Sequence, residues 1–397
     1  MKHLLSASLL VLSAALAALP APAAAQSDIL LRLRSGSPLG DRFRADSAGG
    51  VVAIGELGIG IIPATGAGYR MMWYPYRAAF RAGGTDDGGA GNYWDDANTG
   101  FYSWAGGNLT IANSFASFAF GDQVEVLAVD AAGFGASNTV TSGGVAGFTA
   151  GAANTCGGSY CMALGYTANA GAIGSVAIGY RVTADAAYAV ALGHRASANG
   201  RTGSFTWADQ STTDSLENSA NNSFQIRAAG GVRLYTNATT TTGVSLAAGG
   251  SSWAVISDVN RKENFLSVDG EDILSRIRNL PVTTWRYIDE EDRAVRHIGP
   301  MAQDWERAFG FSGDPTTINM SDFDGVNLAA IQALDTRTAG QESRIRALEA
   351  ENARLREQNA GHEARIQAQE AENARLREQN EAQEERLRRL EALLPTP

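Results

Sequence analysis

Between residues 100 and 207 apolar side chains fall in short runs that alternate with small residues and stop at a glycine. SWAGG at 103–107, SFAFG at 117–121, AAGFG at 131–135 and VAGFT at 145–149 are followed by CMALG at 161–165, SVAIG at 175–179, AVALG at 189–193 and GSFTW at 203–207. Every step is fourteen residues except one of sixteen, which this alignment assigns to the TCGGSYC loop. A short fixed period is the signature of a solenoid, whose units are stable only when stacked. In Val176-Ala177-Ile178-Gly179 the alternation sends Val176 and Ile178 to one face and Ala177 to the other, and Gly179 turns the chain where a side chain would be excluded. Fourteen residues allow two short strands and two turns, so the roll is thin and invites assembly through an apolar face. Two irregularities are expected: Thr149 in place of the fourth turn glycine, and Gly106 within the first unit.

The period then lengthens. EDILSRIRNL at 271–280 spaces Ile273, Leu274, Ile277 and Leu280 as one face of a helix that Pro281 stops. VTTWRYID alternates like a strand, and HIGPMAQDWERAFG follows at 297–310. From Ile331 a heptad holds for nine repeats, with a positions Ile331, Thr338, Ile345, Asn352, Asn359, Ile366, Asn373, Asn380, Leu387 and Leu394. Its d positions are Leu334, Gln341, Leu348, Leu355, His362, Gln369, Leu376, Gln383 and Leu390, and AENARLREQN occurs twice, at 350–359 and 371–380. This predicts a parallel coiled coil over 331–394, about 95 Å long at about 1.5 Å per residue. Four asparagines at a fix register at a cost in stability; isoleucine at a with leucine at d leans toward a dimer by itself.

Residues 1–25, MKHLLSASLLVLSAALAALPAPAAA, have a basic start, an apolar run and a small-residue end, which predicts a secretory signal cut after Ala25. No later stretch nears the roughly twenty apolar residues of a membrane span, so the expected product is exported, reaching the periplasm, the cell surface or the medium. In an oxidising compartment Cys156 and Cys161 could close a small disulfide across two glycines. Three histidines beyond the leader offer no zinc cluster, and we expect no metal and no cofactor. A net charge of −10 without a basic, aromatic-interleaved patch argues against nucleic acid as a partner.

The pattern divides the chain into a signal peptide (1–25), a β-rich N-terminal cap region (26–100), the roll (101–207), a Ser/Thr/Asn/Gly-rich neck (208–256), a small α+β segment (257–330) and the coiled coil (331–394). In the cap region Trp73, Tyr74, Tyr76 and Trp94 read either as a sugar-stacking surface or as a lid on the end of the solenoid. Asp86, Asp87, Asp95 and Asp96 lack the spacing of a calcium loop and read as turn residues. Of 32 lysines and arginines only Lys2 and Lys262 are lysine, and Lys262 sits in SDVNRKENF, five residues after Ser257. A desolvated lysine can lose its proton near neutral pH and act as a base, which arginine cannot. A chance survivor on a loop is the plainer alternative.

Two resemblances sharpen this picture. The roll units resemble the head repeats of trimeric autotransporter adhesins over about 100–207, which implies a left-handed parallel β-roll packed three-fold. The membrane-embedded barrel with which those adhesins end is not expected here. SDVNRKENF, the IL-x-x-I-x-x-LP helix, WRY and HIGPMAQDW, in that order over about 257–312, resemble the chaperone-of-endosialidase family. That family supplies C-terminal intramolecular chaperones to phage tail spikes and fibres and to some membrane-bound transcription factors.

The second resemblance implies a homotrimer and one self-inflicted cut by a serine and a lysine five positions on, here Ser257 and Lys262. A serine hydroxyl attacks only after a base takes its proton, and the amine qualifies only if burial lowers its pKa, so the pair should form on folding. Five residues subtend about 140° on an α-helix, which requires a turn, an extended junction or a neighbouring chain to bring the pair together. The resemblance suggests the Ser257–Asp258 bond, whereas an N-to-O acyl shift would cut Ile256–Ser257. Asp258, Asn264, Gly299, Ala302 and Gln303 also match the family's pattern; Asp258 and Asn264 would orient the pair or polarise the scissile carbonyl, while Gly299 and Ala302 would pack. His297 is discounted as a base because the lysine already fills that role. The expectation is an exported trimeric fibre or adhesin-like surface protein that carries its own folding template and removes it in a single turnover, without an external substrate. A non-cleaving structural or adhesive surface protein and a prophage tail fibre are the rivals, and no ligand on a cell surface or carbohydrate is readable.

Overall fold

The computed structural model describes residues 29–35, 40–89, 91–311 and 313–393. The signal segment and Leu394 of the heptad lie outside them. The chain divides into two compact units, residues 1–234 with 245–254, and residues 235–244 with 255–397.

The first unit is a β-solenoid of about eight coils. Each coil gives a five-residue strand to one parallel sheet and a two-residue strand to a second, as in Val176–Tyr180 and Thr183–Ala184. The structure settles which face of the alternation is inside. The small residue faces inward: Ala105, Ala119, Ala163, Ala177 and Ala191 are fully buried, while Val176 is half-buried and Ile178 exposed. The second sheet closes the interior with Ala112, Val126, Val140, Cys156, Ala170 and Ala184. Gly165 shows why a glycine ends the strand. It has φ +119°, and a Cβ there would collide with the carbonyl oxygen of Gly179 in the next coil.

The ladder corrects the register of the repeat. Ala132 pairs with Phe148 and Gly135 with Gly151, so the fourth unit is GFTAG at 147–151 rather than VAGFT. Thr149 therefore does not replace the turn glycine. It occupies the inward position, fully buried, and Gly151 makes the turn. The sixteen-residue step lies between strands 132–136 and 148–152, before the TCGGSYC loop, which belongs to a regular step from Phe148 to Met162. The last unit is also displaced by one residue, because Val190 pairs with Phe205 and Ala208 takes the place of the glycine. Gly106 keeps its place in the ladder opposite Phe120, whose ring fills the space a side chain would need.

Two buried asparagines hold the corner after the long strand. Asn138 donates from Nδ2 to the carbonyls of Phe134 and Gly151 (2.6 and 2.8 Å), and its Oδ1 accepts from Asn154 N–H (2.9 Å). Asn154 repeats the pattern one coil on, with Ala150, Gly165 and Ala168. Satisfying backbone groups from inside spares the thin roll the cost of buried carbonyls without a partner. Cys156 and Cys161 form a disulfide with a Cα–Cα distance of 5.7 Å, seated in the space above Gly147.

At the N-terminal end the antiparallel hairpin of Tyr69–Tyr74 and Ala79–Gly84 covers the first coil, Ala79–Gly84 running parallel to Trp104–Asn108. Trp94 is fully buried and donates from Nε1 to Thr110 O (2.9 Å), and Tyr74 is buried with its hydroxyl on Asp96 (2.8 Å). Arg81 is fully buried as well and donates to the carbonyls of Ser103 and Ala112 (3.0 and 2.9 Å). Burial, and behind it the charge of Arg77, pull its guanidinium down to about 9. A further antiparallel sheet, Ile29–Ser35, Gly40–Asp46 and Val51–Ala53, precedes this cap. Short strands follow the roll at Val232–Tyr235, Gly243–Leu246 and Trp253–Val255.

The second unit is mainly helical. Helix α1 spans Gly270–Asn279, α2 Ala302–Phe309 and α3 Met320–Glu391. Asp269 caps α1 by accepting from the N–H groups of Glu271 and Asp272 (2.9 and 3.3 Å), and Pro281 follows its last residues. A two-stranded antiparallel ribbon, Thr283–Trp285 with His297–Gly299, links α1 to α2. Ile273, Leu274, Trp305, Phe309, Val326 and Ala330 form the core, so the first turns of α3 belong to this small domain. Beyond them α3 continues as one helix with its heptad residues exposed. No helix among the described residues is long and apolar enough to cross a membrane.

Candidate functional site

The polypeptide leaves the neck extended, and Ile256 N–H donates to Gly243 O (3.3 Å). A single 3-10 turn over Val259–Arg261 then folds the chain back, closed by Arg261 N–H on Asp258 O (3.1 Å) and Lys262 N–H on Val259 O (3.2 Å). Lys262 resumes an extended backbone, φ −129° and ψ 152°. The turn brings the two ends together: Lys262 Nζ lies 2.6 Å from Ser257 Oγ.

Asp258 is the residue that makes the turn. Its Oδ1 accepts from Asn260 N–H (2.9 Å) and from Asn260 Nδ2 (3.0 Å), while Oδ2 lies 3.6 Å from Arg261 Nε. The backbone N–H of Asn260, then its side-chain amide, hold the Asp258 carboxyl below the usual carboxylate range, with Arg261 adding to this. A carboxylate stabilised in this way is a firm cap.

The other family-matched positions are placed apart from the pair. Asn264 follows two residues later in the left-handed region, φ +58°. Gly299 ends the ribbon opposite Thr283, and Ala302 and Gln303 open α2. Among the described residues neither Ser257 nor Lys262 shares a hydrogen bond with Asn264, Gly299 or Gln303. His297 sits among Trp285 and Tyr287, ring centres 4.7 and 5.4 Å away, with Nε2 3.2 Å from Glu290. Both Ser257 and Lys262 are exposed in the single chain, so the desolvation that would make the lysine a base is not supplied by this chain alone. Of the three ways to join the pair that the spacing left open, the structure shows the turn; the part Asn260 plays in it is not read from the spacing of Ser257 and Lys262, although Asp-x-Asn is the spacing of an Asx-type cap.

The other candidates resolve into structure. Trp94 and Tyr74 are buried, which leaves Trp73 and Tyr76 as the accessible rings of the four. Asp86 and Asp87 accept from the N–H groups of Gly88 and Gly89, Asp95 from Gly66 N–H, and Asp96 pairs with Arg77. On the roll Tyr166, Tyr180 and His194 stack with centroids 5.3 and 5.2 Å apart, so neighbouring rings already occupy one another's faces.

Taken together, the site consists of a serine hydroxyl held by a lysine amine at the start of a small helical domain that follows the β-solenoid in the sequence. Residues 257–313 match the family described as chaperone of endosialidase. No curated protein and no solved structure matches the chain. An endosialidase-chaperone segment behind a β-solenoid fits a tail-fibre- or tail-spike-like protein.

Proposed function

We propose that the chain is an exported, homotrimeric fibre or adhesin-like protein whose C-terminal segment gathers three copies, templates the roll and then cuts itself off beside Ser257. The observation that carries the cut is the 2.6 Å approach of Lys262 Nζ to Ser257 Oγ across one turn. In that step the amine accepts the hydroxyl proton as Oγ adds to a backbone carbonyl carbon. Addition to the Ile256 carbonyl closes a five-membered ring, gives an ester and frees the Ser257 amine; water then releases Ile256 as a carboxylate. Addition to Ser257's own carbonyl would close a four-membered ring, so a cut at Ser257–Asp258 calls for a hydroxyl from another copy or a water activated by the pair.

Two features support the trimer. The outer face of the long sheet carries Trp104, Phe120, Phe134, Ile178 and Trp207, each at least a third exposed, over an interior of mostly small residues. Along α3 the heptad residues Ile345, Leu348, Leu355, Ile366, Leu376, Leu387 and Leu390 are all exposed in the single chain. Three left-handed rolls packed on the first face and three helices in a parallel coiled coil on the second would cover both. Packing would also supply the desolvation that Lys262 lacks alone. Because strands separated by a full coil must pair, the roll is slow to form, and a helical template that sets the register offsets that cost. Once the template is lost, the fibre is held by kinetics.

The test is electrophoresis and mass spectrometry of the purified protein with Ser257→Ala and Lys262→Arg. Wild type should yield two fragments with termini at 256–258, and both variants should stay whole. A single full-length wild-type band would leave a non-cleaving surface protein, and a Lys262→Arg chain that still cuts would remove the lysine from the chemistry. Sedimentation of the Ser257→Ala chain should give a trimer.

A further inference from the structure

Lys262 carries its amine on a long, freely rotating stem, and both members of the pair are exposed. A 2.6 Å contact in such a setting is maintained only if the backbone from which the lysine projects is fixed. Within the turn the side chain that does this is Asn260. Its backbone N–H and its Nδ2 converge on one oxygen, Asp258 Oδ1, at 2.9 and 3.0 Å. The second carboxylate oxygen is drawn toward Arg261 at 3.6 Å. Asp258 is the residue next to Ser257, and Arg261 the residue before Lys262, so this small network ties together the two ends that must meet.

We propose that Asn260 is a positioning residue for the Ser257–Lys262 cut: it touches neither reacting group and acts by locking Asp258, and through it the turn that delivers Lys262 to Ser257. This rests on the self-cleavage reading above. Its side chain takes no proton and bonds to no atom of the scissile peptide. What it contributes is geometric, and a misplacement of about 1 Å costs on the order of a hundredfold in rate. Asp258 is a poorer probe than Asn260, because replacing it also alters the peptide bond beside the nucleophile.

The experiment follows the first-order appearance of fragments after cell-free synthesis of the full chain, across a range of pH, for wild type, Asn260→Ala, Asn260→Ser and Lys262→Arg. Native electrophoresis in parallel tracks assembly. Asn260→Ala keeps the backbone donor and loses the amide, so its plateau rate should fall about 10- to 100-fold. The pH midpoint should stay where wild type has it, since the base is unchanged, and assembly should be unaltered. Asn260→Ser retains a short hydrogen-bonding side chain and should recover part of the rate. An Asn260→Ala chain that cuts at the wild-type rate, or one that loses rate only in proportion to lost assembly, or one whose pH midpoint moves, overturns the inference while Lys262→Arg stays uncut and the cleavage reading stands. If wild type does not cut at 256–258, or Lys262→Arg cuts as wild type does, the cleavage reading itself falls and this inference falls with it.

Discussion

The solenoid and the helical unit solve opposite packing problems. The roll buries Ala119, Ala177 and Thr149 and turns Phe120, Ile178 and Trp207 outward. The helical unit buries Trp305, Phe309, Ile273 and Leu274 and leaves charged residues around them. The difference follows from geometry: two sheets joined on one side of each coil by a two-residue corner stand too close for large side chains, whereas helices pack about 8–10 Å apart and need them. The roll is therefore vulnerable to added atoms and the helical unit to removed ones. In the roll the large residues are therefore left on the outside, where they form the exposed apolar face on which the proposed assembly rests.

The sharpest break in this comparison should come from the helical unit. Trp305 is 1% exposed and packs against Phe309 and Phe323 with ring centres 4.5 and 5.1 Å away. Trp305→Ala should cost about 3–5 kcal/mol, read as a lower denaturant midpoint of the helical circular dichroism signal. The roll should respond to the reverse change. Ala177→Val adds two methyl groups to a fully buried site and should cost about 1–3 kcal/mol, measured as a lower midpoint of the β signal in the full chain. A neutral Ala177→Val would mean the interior is not filled, and the contrast would collapse.

The smallest effect concerns acid. Near the C-terminal end of the roll the Ser211 hydroxyl, then Ala229 N–H, and beyond them Arg227 hold the Asp209 carboxyl down to about 2. A carboxylate whose folded value is depressed stabilises fully above its unfolded value, about 3.9, and loses that contribution as pH falls through about 2. The melting temperature of the roll should therefore decline from about pH 4 to pH 2. Asp209→Asn should start lower at neutral pH and show a shallower decline over the same range.

Much of the architecture was legible because it rests on spacing. The glycine-terminated alternation specified a solenoid, the 3.6-residue pattern of 271–280 gave α1 to within one residue, and the heptads fell on a single helix. The register of the fourth and last coils was not legible. Between 131 and 151 glycines at 133, 135, 143, 144, 147 and 151 offer several candidate turns, and only pairing between neighbouring coils selects Gly135 and Gly151. Similarly, alternation separated Ala177 from Val176 and Ile178 but could not say which face was inside, because that depends on the distance between two sheets. At the site, the serine-lysine spacing was visible, and it left a turn, an extended junction and a neighbouring chain as the ways to close it. The turn's own lock was not, since Asp258 and Asn260 become partners only once the backbone has reversed.

The interlocked glycines give the roll a further property. Each coil contacts its neighbours through the same few positions, so a fourteen-residue unit carries its own docking surfaces on both sides. Gaining or dropping such a unit by recombination would change the stack by about 4.8 Å and leave both ends as they were. The roll is in this sense a ruler graduated in coils, whose length can be edited in fixed increments without redesigning the hairpin that caps its first coil.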